Sequence, residues 1–192
     1  MPAKRESGFT LLELMVTLSV AAILSVLAYP NMRDFMRRNR AVEQSNSMQS
    51  NLQYARGQAA ATRSYVSICP LAAPGGQACD VGAIYNNGWL IYTAATPNTA
   101  YDATVLGSLQ LAVPAPTNTQ IIANSAGVLT YNSLGELLVG GLPNTNVNFD
   151  TCAEDSSGAA INTATVPGIQ LVAQNSGRIA SSPLSAGAAC TP

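Results

Sequence analysis

The sequence contains no histidine and few charged residues. Charged side chains make up 10% of its 192 residues, against about 25% in an average soluble domain. Without histidine the chain lacks the commonest general base, the Ser-His and Cys-His dyads and the commonest metal ligand. Hydrophobic residues nevertheless reach 47%, which excludes disorder driven by charge. The composition argues against an enzyme, and no motif for a cofactor or metal ion is present.

The few charges are divided unevenly along the chain. Residues 1–63 hold eight basic and four acidic side chains, a net charge of +4. The rest of the chain holds six acidic side chains and one basic residue, Arg178, a net charge of −5. This distribution favours a basic segment close to a membrane and a mildly acidic outer domain.

A long apolar segment follows a short polar leader that carries Lys4 and Arg5. Phe9–Tyr29 holds one charge, Glu13, and as a helix it would span about 30 Å, the thickness of a bilayer's hydrocarbon core. The basic leader would stay in the cytoplasm while the rest is exported. An ordinary secretory signal is an alternative, but residues 28–30 make a poor cleavage site. A simple membrane anchor is a second alternative. In such an anchor the carboxylate of Glu13 would cost free energy and have no function.

The residues around the leader junction carry a family resemblance. Residues 4–14, Lys-Arg-Glu-Ser-Gly-Phe-Thr-Leu-Leu-Glu-Leu, resemble the class III prepilin signal of type IV pilins and type II secretion pseudopilins. The resemblance implies that prepilin peptidase cleaves between Gly8 and Phe9 and that Phe9 is then N-methylated. It also implies an assembly role for Glu13, whose carboxylate would neutralise a neighbouring subunit's amino terminus and set the axial register.

Beyond this segment the helical periodicity continues to residues 61–63, with an apolar face. The members of that face are Met32, Phe35, Met36, Val42, Met48, Leu52, Ala55 and Ala59. Four arginines, at positions 33, 37, 38 and 40, flank it. They could bind nucleic acid or anionic headgroups, but solvated positions beyond a membrane span, paired with Asp34 and Glu43, are the preferred interpretation.

From Tyr65 the pattern changes to short strands separated by Gly, Pro, Asn and Ser clusters. Strands are predicted at residues 65–69, 88–93, 120–122, 127–131, 147–150 and 169–173. They indicate an all-β head, either a sandwich or a strongly curved sheet. The expected organisation is α+β, with a leader peptide (1–8), a transmembrane and assembly helix (9–29), the amphipathic half of the same helix (30–63) and a β-rich globular head (64–192).

Short matches along the head are similar to the GspH/FimT/FimU group, at residues 52–56, 66–69, 88–92 and 176–178. This resemblance implies a long helix packed on an antiparallel β-sandwich-like head of two sheets. It also implies a minor type IV pilin that helps initiate assembly and forms part of the pilus tip complex. The alternatives within the group are a GspH-like type II secretion pseudopilin and a FimT-like DNA-uptake pilin.

The group also implies partners and a location. The partners are prepilin peptidase, the inner membrane before assembly, and other minor pilins and the major pilin through their N-terminal helices. The protein would cross the inner membrane once, with its head in the periplasm, and then enter the pilus at the cell surface. DNA is not an expected partner. The DNA-uptake members carry a Gly-Arg-x-Arg motif, whereas residues 177–180 read Gly-Arg-Ile-Ala, so Arg178 is a weak DNA-contact candidate.

Four cysteines, Cys69, Cys79, Cys152 and Cys190, allow three pairings. An exported head lies in an oxidising compartment, which favours disulfides, and the absence of a CxxC motif argues against metal binding. Nearest-neighbour pairing, Cys69–Cys79 and Cys152–Cys190, is preferred because the second bridge would restrain the C-terminal tail. The wider pilin family commonly has such a C-terminal disulfide loop.

We predict that the mature protein begins at Phe9 and carries an N-methyl group. The reason is the junction between a short basic leader and an apolar helix. Intact-mass analysis of purified filaments measures both features. A mature chain that starts near Pro30 would contradict the prediction and restore the ordinary secretory signal.

Overall fold

The computed structural model describes residues 9–143 and 145–191, apart from the side chains of residues 27, 28 and 30. The chain divides into two compact units, residues 1–36 and 37–192. One helix, α1 (Leu11–Thr62), belongs to both, so the long N-terminal helix predicted from the sequence is confirmed. Ten strands follow it within the described residues: β1 (Tyr65–Pro70), β2 (Trp89–Ala94), β3 (Leu109–Val113), β4 (Thr119–Ala123), β5 (Leu129–Tyr131), β6 (Leu137–Val139), β7 (Val147–Glu154), β8 (Ala160–Ile161), β9 (Ile169–Ala173) and β10 (Ile179–Pro183).

The helix ends through a left-handed residue. Arg63 has a φ of 52°, and the N–H of Ser64 donates to the carbonyl of Ala59 at 3.3 Å. This six-residue closure is the Schellman pattern, which satisfies a carbonyl left open by the last helical turn. The chain then enters β1 at Tyr65.

The strands form two antiparallel sheets, which confirms the α+β class and the sandwich-like head. The first sheet has the order β3-β2-β1-β5-β6 and the second β10-β9-β7-β4, with β8 paired to β7. Four strands were not predicted from the sequence: β3, β6, β8 and β10. Three of these are edge strands and the fourth has two residues. Edge strands are paired on one side only, so they need less of the β-branched and aromatic character that identifies a central strand.

The core lies where α1 meets both sheets. The buried residues of the helix recur every three or four positions: Ala41, Ser45, Met48, Leu52, Ala55 and Ala59. The last four share one cluster with Ile68 and Trp89 of the first sheet and Phe149 of the second. The predicted apolar face is therefore buried from Met48 onward, whereas Val42 remains 39% exposed. Each fully buried large apolar side chain contributes about 1.5–3 kcal/mol, so this row anchors the head on the helix.

The first sheet is buried on both faces. Alternate residues of β1, such as Val66 and Ile68, enter the main core. Cys69, on the opposite face, packs with Leu90 and Tyr92 in a second cluster. Between β1 and β5 the hydroxyls of Ser67 and Thr130 lie 2.9 Å apart in a buried hydrogen bond. Burial on two faces explains why β1 reads as a nearly continuous apolar run.

Two disulfides secure the loops on the outer faces of the sheets. They join Cys69 to Cys79, with Cα atoms 5.5 Å apart, and Cys152 to Cys190, with Cα atoms 6.1 Å apart. The second holds the C-terminal tail, which Asn162 also binds. The Asn162 amide donates to the carbonyls of Ser185 at 2.7 Å and Ala188 at 3.0 Å.

The two disulfides should differ in their contribution to stability. In the chain-entropy treatment, Cys190→Ser costs about 4 kcal/mol of unfolding free energy and Cys79→Ser about 3 kcal/mol, because the bridged residues lie 38 and 10 positions apart. Denaturant unfolding of the detergent-solubilised protein, followed by Trp89 fluorescence, measures both. The reduced wild type serves as the control that lacks both bridges. An equal or reversed ranking would show that loop closure is not the main contribution.

Candidate functional site

Phe9 and Thr10 precede the first turn of α1. Phe9 is 79% exposed, and Gly8, on the other side of the predicted cleavage junction, lies outside the described residues. The hydroxyl of Thr10 accepts a hydrogen bond from the backbone N–H of Glu13 at 3.2 Å. Thr10 therefore caps the helix, and Thr-x-x-Glu is the sequence signature of a capping box. This cap was not among the features predicted from the sequence.

Glu13 is an exposed acid in the first helical turn. Its carboxylate makes no hydrogen bond or ion pair with any residue that the structure describes. The N-terminal end of a helix favours a negative charge because the backbone dipoles align there, typically by 0.3–1 kcal/mol. This position helps the helix begin and leaves both carboxylate oxygens available to another group.

The first half of α1 presents apolar side chains in every direction. More than half of the surface of each of its large apolar residues is exposed: Leu11, Leu12, Leu14, Met15, Val16, Leu18, Val20, Ile23, Leu24 and Val26. Among the described residues no single helix is long and apolar enough to span a bilayer. The segments Leu11–Val26 and Asn31–Thr62 meet that requirement together as a bent pair, by length and composition. A surface this apolar must be covered by lipid or by other helices.

Two of the four arginines that follow have partners in the structure, Arg33 and Arg37. The guanidinium of Arg33 lies 5.8 Å from the ring centre of Tyr29, within cation–π range. Arg37 lies near Asp155, a residue far along the chain. Hydrogen bonds from Ser157 and Ala159 hold the pKa of Asp155 below its ordinary value, and the charge of Arg37 lowers it further. At least one of the four arginines thus interacts with the head, a contact that the sequence did not predict.

Arg56 connects α1 to two turns of the head. Its Nε donates to the carbonyl of Gly135 in the β5–β6 turn at 3.1 Å, and its Nη2 donates to the carbonyl of Ser176 in the β9–β10 turn at 3.2 Å. The two turns also meet directly, because the N–H of Leu137 donates to the carbonyl of Asn175 at 2.8 Å. One helical side chain therefore joins the two sheets at this end.

The turns approach so closely that both need glycine. Gly135 and Gly177 have φ angles of +76° and +78°. A Cβ on Gly177 would lie 2.0 Å from the carbonyl oxygen of Gly135 and 2.5 Å from the Nε of Arg56. Such distances are far inside van der Waals contact, so no other residue fits without displacing one turn. Sequence analysis singled out Gly177 only as part of a weak motif and did not identify the contact.

Arg178 follows this glycine and lies on the surface. Its backbone carbonyl accepts a hydrogen bond from the N–H of Gln174 at 2.8 Å, but within the described ranges its guanidinium makes no hydrogen bond or ion pair. Together with Arg56 it lines a groove of about 560 Å³ between α1 and the two turns. The structure therefore places the two arginines at one groove, and Arg178 is its unpaired member.

The acidic residues of the head fall into two kinds. Asp102 and Asp155 lie in exposed turns, and hydrogen bonds from Thr104 hold the pKa of Asp102 below its ordinary value. Asp150 is buried on β7, and this burial raises its pKa although Gln170 donates a hydrogen bond to it at 3.0 Å. Over residues 9–143 and 145–191, no group of three or more Cys, Asp or Glu residues is placed to bind a metal ion. The exposed carboxylates keep the head surface acidic at neutral pH.

Two family models match the sequence. One describes the type II transport protein GspH and matches residues 44–166. The other describes the prokaryotic N-terminal methylation motif and matches residues 3–29. A comparison with curated proteins gives no match.

The fold is similar to two crystal structures of the type IV minor pilin FimU from Pseudomonas aeruginosa strain PAO1. In space group P21 that protein superposes with a TM-score of 0.56 at 21% identity, over 81% of this chain and 98% of FimU. In space group P65 the values are 0.51 and 23%, over 78% and 97%. At these identities the likeness demonstrates the shared fold.

The close contact of Gly177 with Gly135 and Arg56 predicts the effect of a substitution at Gly177, which a control variant at another glycine can test. Gly177→Ala should lower the unfolding free energy by about 3 kcal/mol or more, because it adds a steric clash to an unfavourable left-handed conformation. Gly158→Ala is the matched control, since Gly158 has a φ of +83° and open space around it. It should cost roughly 1–2 kcal/mol. Denaturant unfolding measures both, and equal losses would show that the close approach of the turns does not matter.

Proposed function

This chain belongs to the family of the type II transport protein GspH, and from that membership we propose that it is a minor type IV pilin. In this proposal it helps initiate pilus assembly and forms part of the tip complex. The observation that supports this proposal is that one chain combines a methylation motif with a head of the minor-pilin fold. A methylation motif at residues 3–29 leads through α1 into a two-sheet head that shares the fold of a minor pilin.

In this proposal the subunit is first inserted into the inner membrane. The apolar half of α1 would cross the bilayer once, with the basic leader in the cytoplasm and the head in the periplasm. Prepilin peptidase would then remove residues 1–8 and Phe9 would be N-methylated. The exposed apolar side chains of this half support the proposal, because on leaving lipid they need other helices to cover them. The helices of companion minor pilins and of the major pilin would supply that cover.

Glu13 has a specific part in this assembly. Cleavage before Phe9 creates an amino group that is mostly protonated at neutral pH. Among packed apolar helices this charge needs a partner, and Glu13 is the one ionisable residue between positions 9 and 29. A pair formed between two subunits would favour one axial register, since any other would leave two buried charges unpaired.

Glu13→Ala should leave membrane insertion and cleavage intact but reduce recovery of the subunit in sheared pili about tenfold or more, the effect of one unpaired buried charge. Thr10→Ala is the control, because it weakens the same helix cap without removing the carboxylate. Immunoblots of membranes and sheared filaments measure both variants. Equal recovery of Glu13→Ala and wild type would exclude an assembly role, and an equal defect in Thr10→Ala would assign Glu13 to capping alone.

A type II secretion pseudopilin is the second candidate function. The GspH match to residues 44–166 favours it, because that family model is named for a type II transport protein. Both functions use the same helix and the same cleavage. They differ in the filament that the subunit joins, and therefore in the companion heads that it contacts.

Deletion of the gene distinguishes the two. If the protein is a minor pilin, the deletion should reduce surface pili, counted by shearing and electron microscopy, and leave extracellular enzyme secretion unchanged. Complementation with the wild-type gene should restore the pili, and complementation with a Phe9 cleavage-junction variant should not. Loss of secretion with normal piliation would instead assign the chain to a type II secretion system.

A further inference from the structure

The groove that Arg56 and Arg178 line has no role in the contacts described for the head. It lies between α1 from Gln53 to Ala60, the β5–β6 turn at Gly135 and the β9–β10 turn at Arg178. We propose that this groove is a docking site for a carboxylate on an exposed loop of a neighbouring subunit's head. The inference rests on the proposed function, in which heads of different subunits lie side by side.

The groove is held in shape before any partner arrives. Arg56 is fixed by its two carbonyl contacts, to Gly135 and Ser176. Two of the five N–H groups of the guanidinium are thereby used, which leaves the others without an acceptor among the described residues. The two turns are in close contact, since a Cβ on Gly177 would lie 2.0 Å from the carbonyl oxygen of Gly135. A rigid site loses little conformational entropy when it binds.

The charges point to an anionic occupant. From residue 64 onward the chain holds six acidic side chains and one basic residue, and that residue, Arg178, lies at this groove. Glu136 follows Gly135, a residue of the groove, but does not itself line it. Its carboxylate accepts a hydrogen bond from the amide of Asn132 at 2.7 Å. The groove thus concentrates positive charge on a head that is otherwise acidic.

A carboxylate matches this site better than a phosphate backbone does. The planar fork of an arginine pairs with a carboxylate through two parallel hydrogen bonds, and about 560 Å³ admits the tip of a loop. This chain itself presents an ionised carboxylate on an exposed turn, at Asp102, and a neighbouring head with a similar turn could present one to the groove. DNA would need several phosphate contacts, and the surrounding acidic surface would repel a duplex.

The test compares three variants of the full chain in the producing bacterium. Arg178→Glu reverses the charge in the groove, and Arg178→Lys keeps it. Arg63→Glu is the matched control, because Arg63 is also exposed and unpaired within the described ranges but lines a different cavity. The readout is the ratio of subunit in sheared filaments to subunit in membranes. Arg178→Glu should lower this ratio about five-fold. Arg178→Lys should lower it less, because lysine keeps the charge but cannot form two parallel hydrogen bonds, and Arg63→Glu should stay close to wild type.

A binding assay tests the same groove independently of filament assembly. The detergent-solubilised full chain is titrated with a fluorescein-labelled Gly-Asp-Gly-Asp-Gly peptide and, separately, with a short DNA duplex. Peptide binding should be saturable, weakened by salt, and lost in Arg178→Glu but not in Arg63→Glu.

A companion pilin in which one Asp or Glu is replaced by Lys should restore incorporation of Arg178→Glu.

The possible outcomes separate the two proposals. If Arg178→Glu matches wild type in both filament recovery and peptide binding, the docking site is wrong. Duplex binding that is tighter than peptide binding and depends on Arg178 would also overturn it, in favour of nucleic acid. If wild type is missing from filaments while peptide binding still depends on Arg178, the groove is supported and the proposed pilin function fails.

Discussion

The burial of one row of α1 between two sheets is the contact on which the head depends. Met48, Leu52, Ala55 and Ala59 share a single core with residues of both sheets. The small residues Ala55 and Ala59 let the helix approach the sheets closely, and the larger Met48 and Leu52 are fully buried in the same core. Neither sheet could bury its inner face without this helix, so the head and the second half of α1 fold as one unit.

The first half of the same helix has a different kind of surface. Its first half exposes apolar side chains all round, a surface suited to lipid or to packed helices and poorly suited to water. The second half buries one row of side chains, from Ala41 to Ala59, against the head. The two halves belong to one helix but differ in how much apolar surface they expose, which agrees with the proposal that the subunit passes from a membrane into a filament.

Beside this buried row, one arginine of α1 joins the two sheets through hydrogen bonds. Arg56 joins turns from different sheets through two carbonyl groups, and glycines at positions 135 and 177 provide the space. Backbone carbonyls at turns are otherwise left to water, so a charged donor on a rigid helix both satisfies them and fixes their separation. Arg178 follows Gly177 in the β9–β10 turn, so these contacts also fix its position beside the groove.

The sequence by itself determined the features that depend on close neighbours along the chain. The long helix, the processing motif around Phe9 and the central strands are each encoded within a few residues, in periodicity, capping and β-branched runs. Tertiary structure alone decided the edge strands, the partner of Arg37 and the Arg56 contact. Arg56 meets residues 79 and 120 positions away, and no local pattern marks which of several arginines will find two glycine-rich turns. That choice follows from how the two sheets pack on α1, a property of the folded chain that no segment of the sequence carries alone.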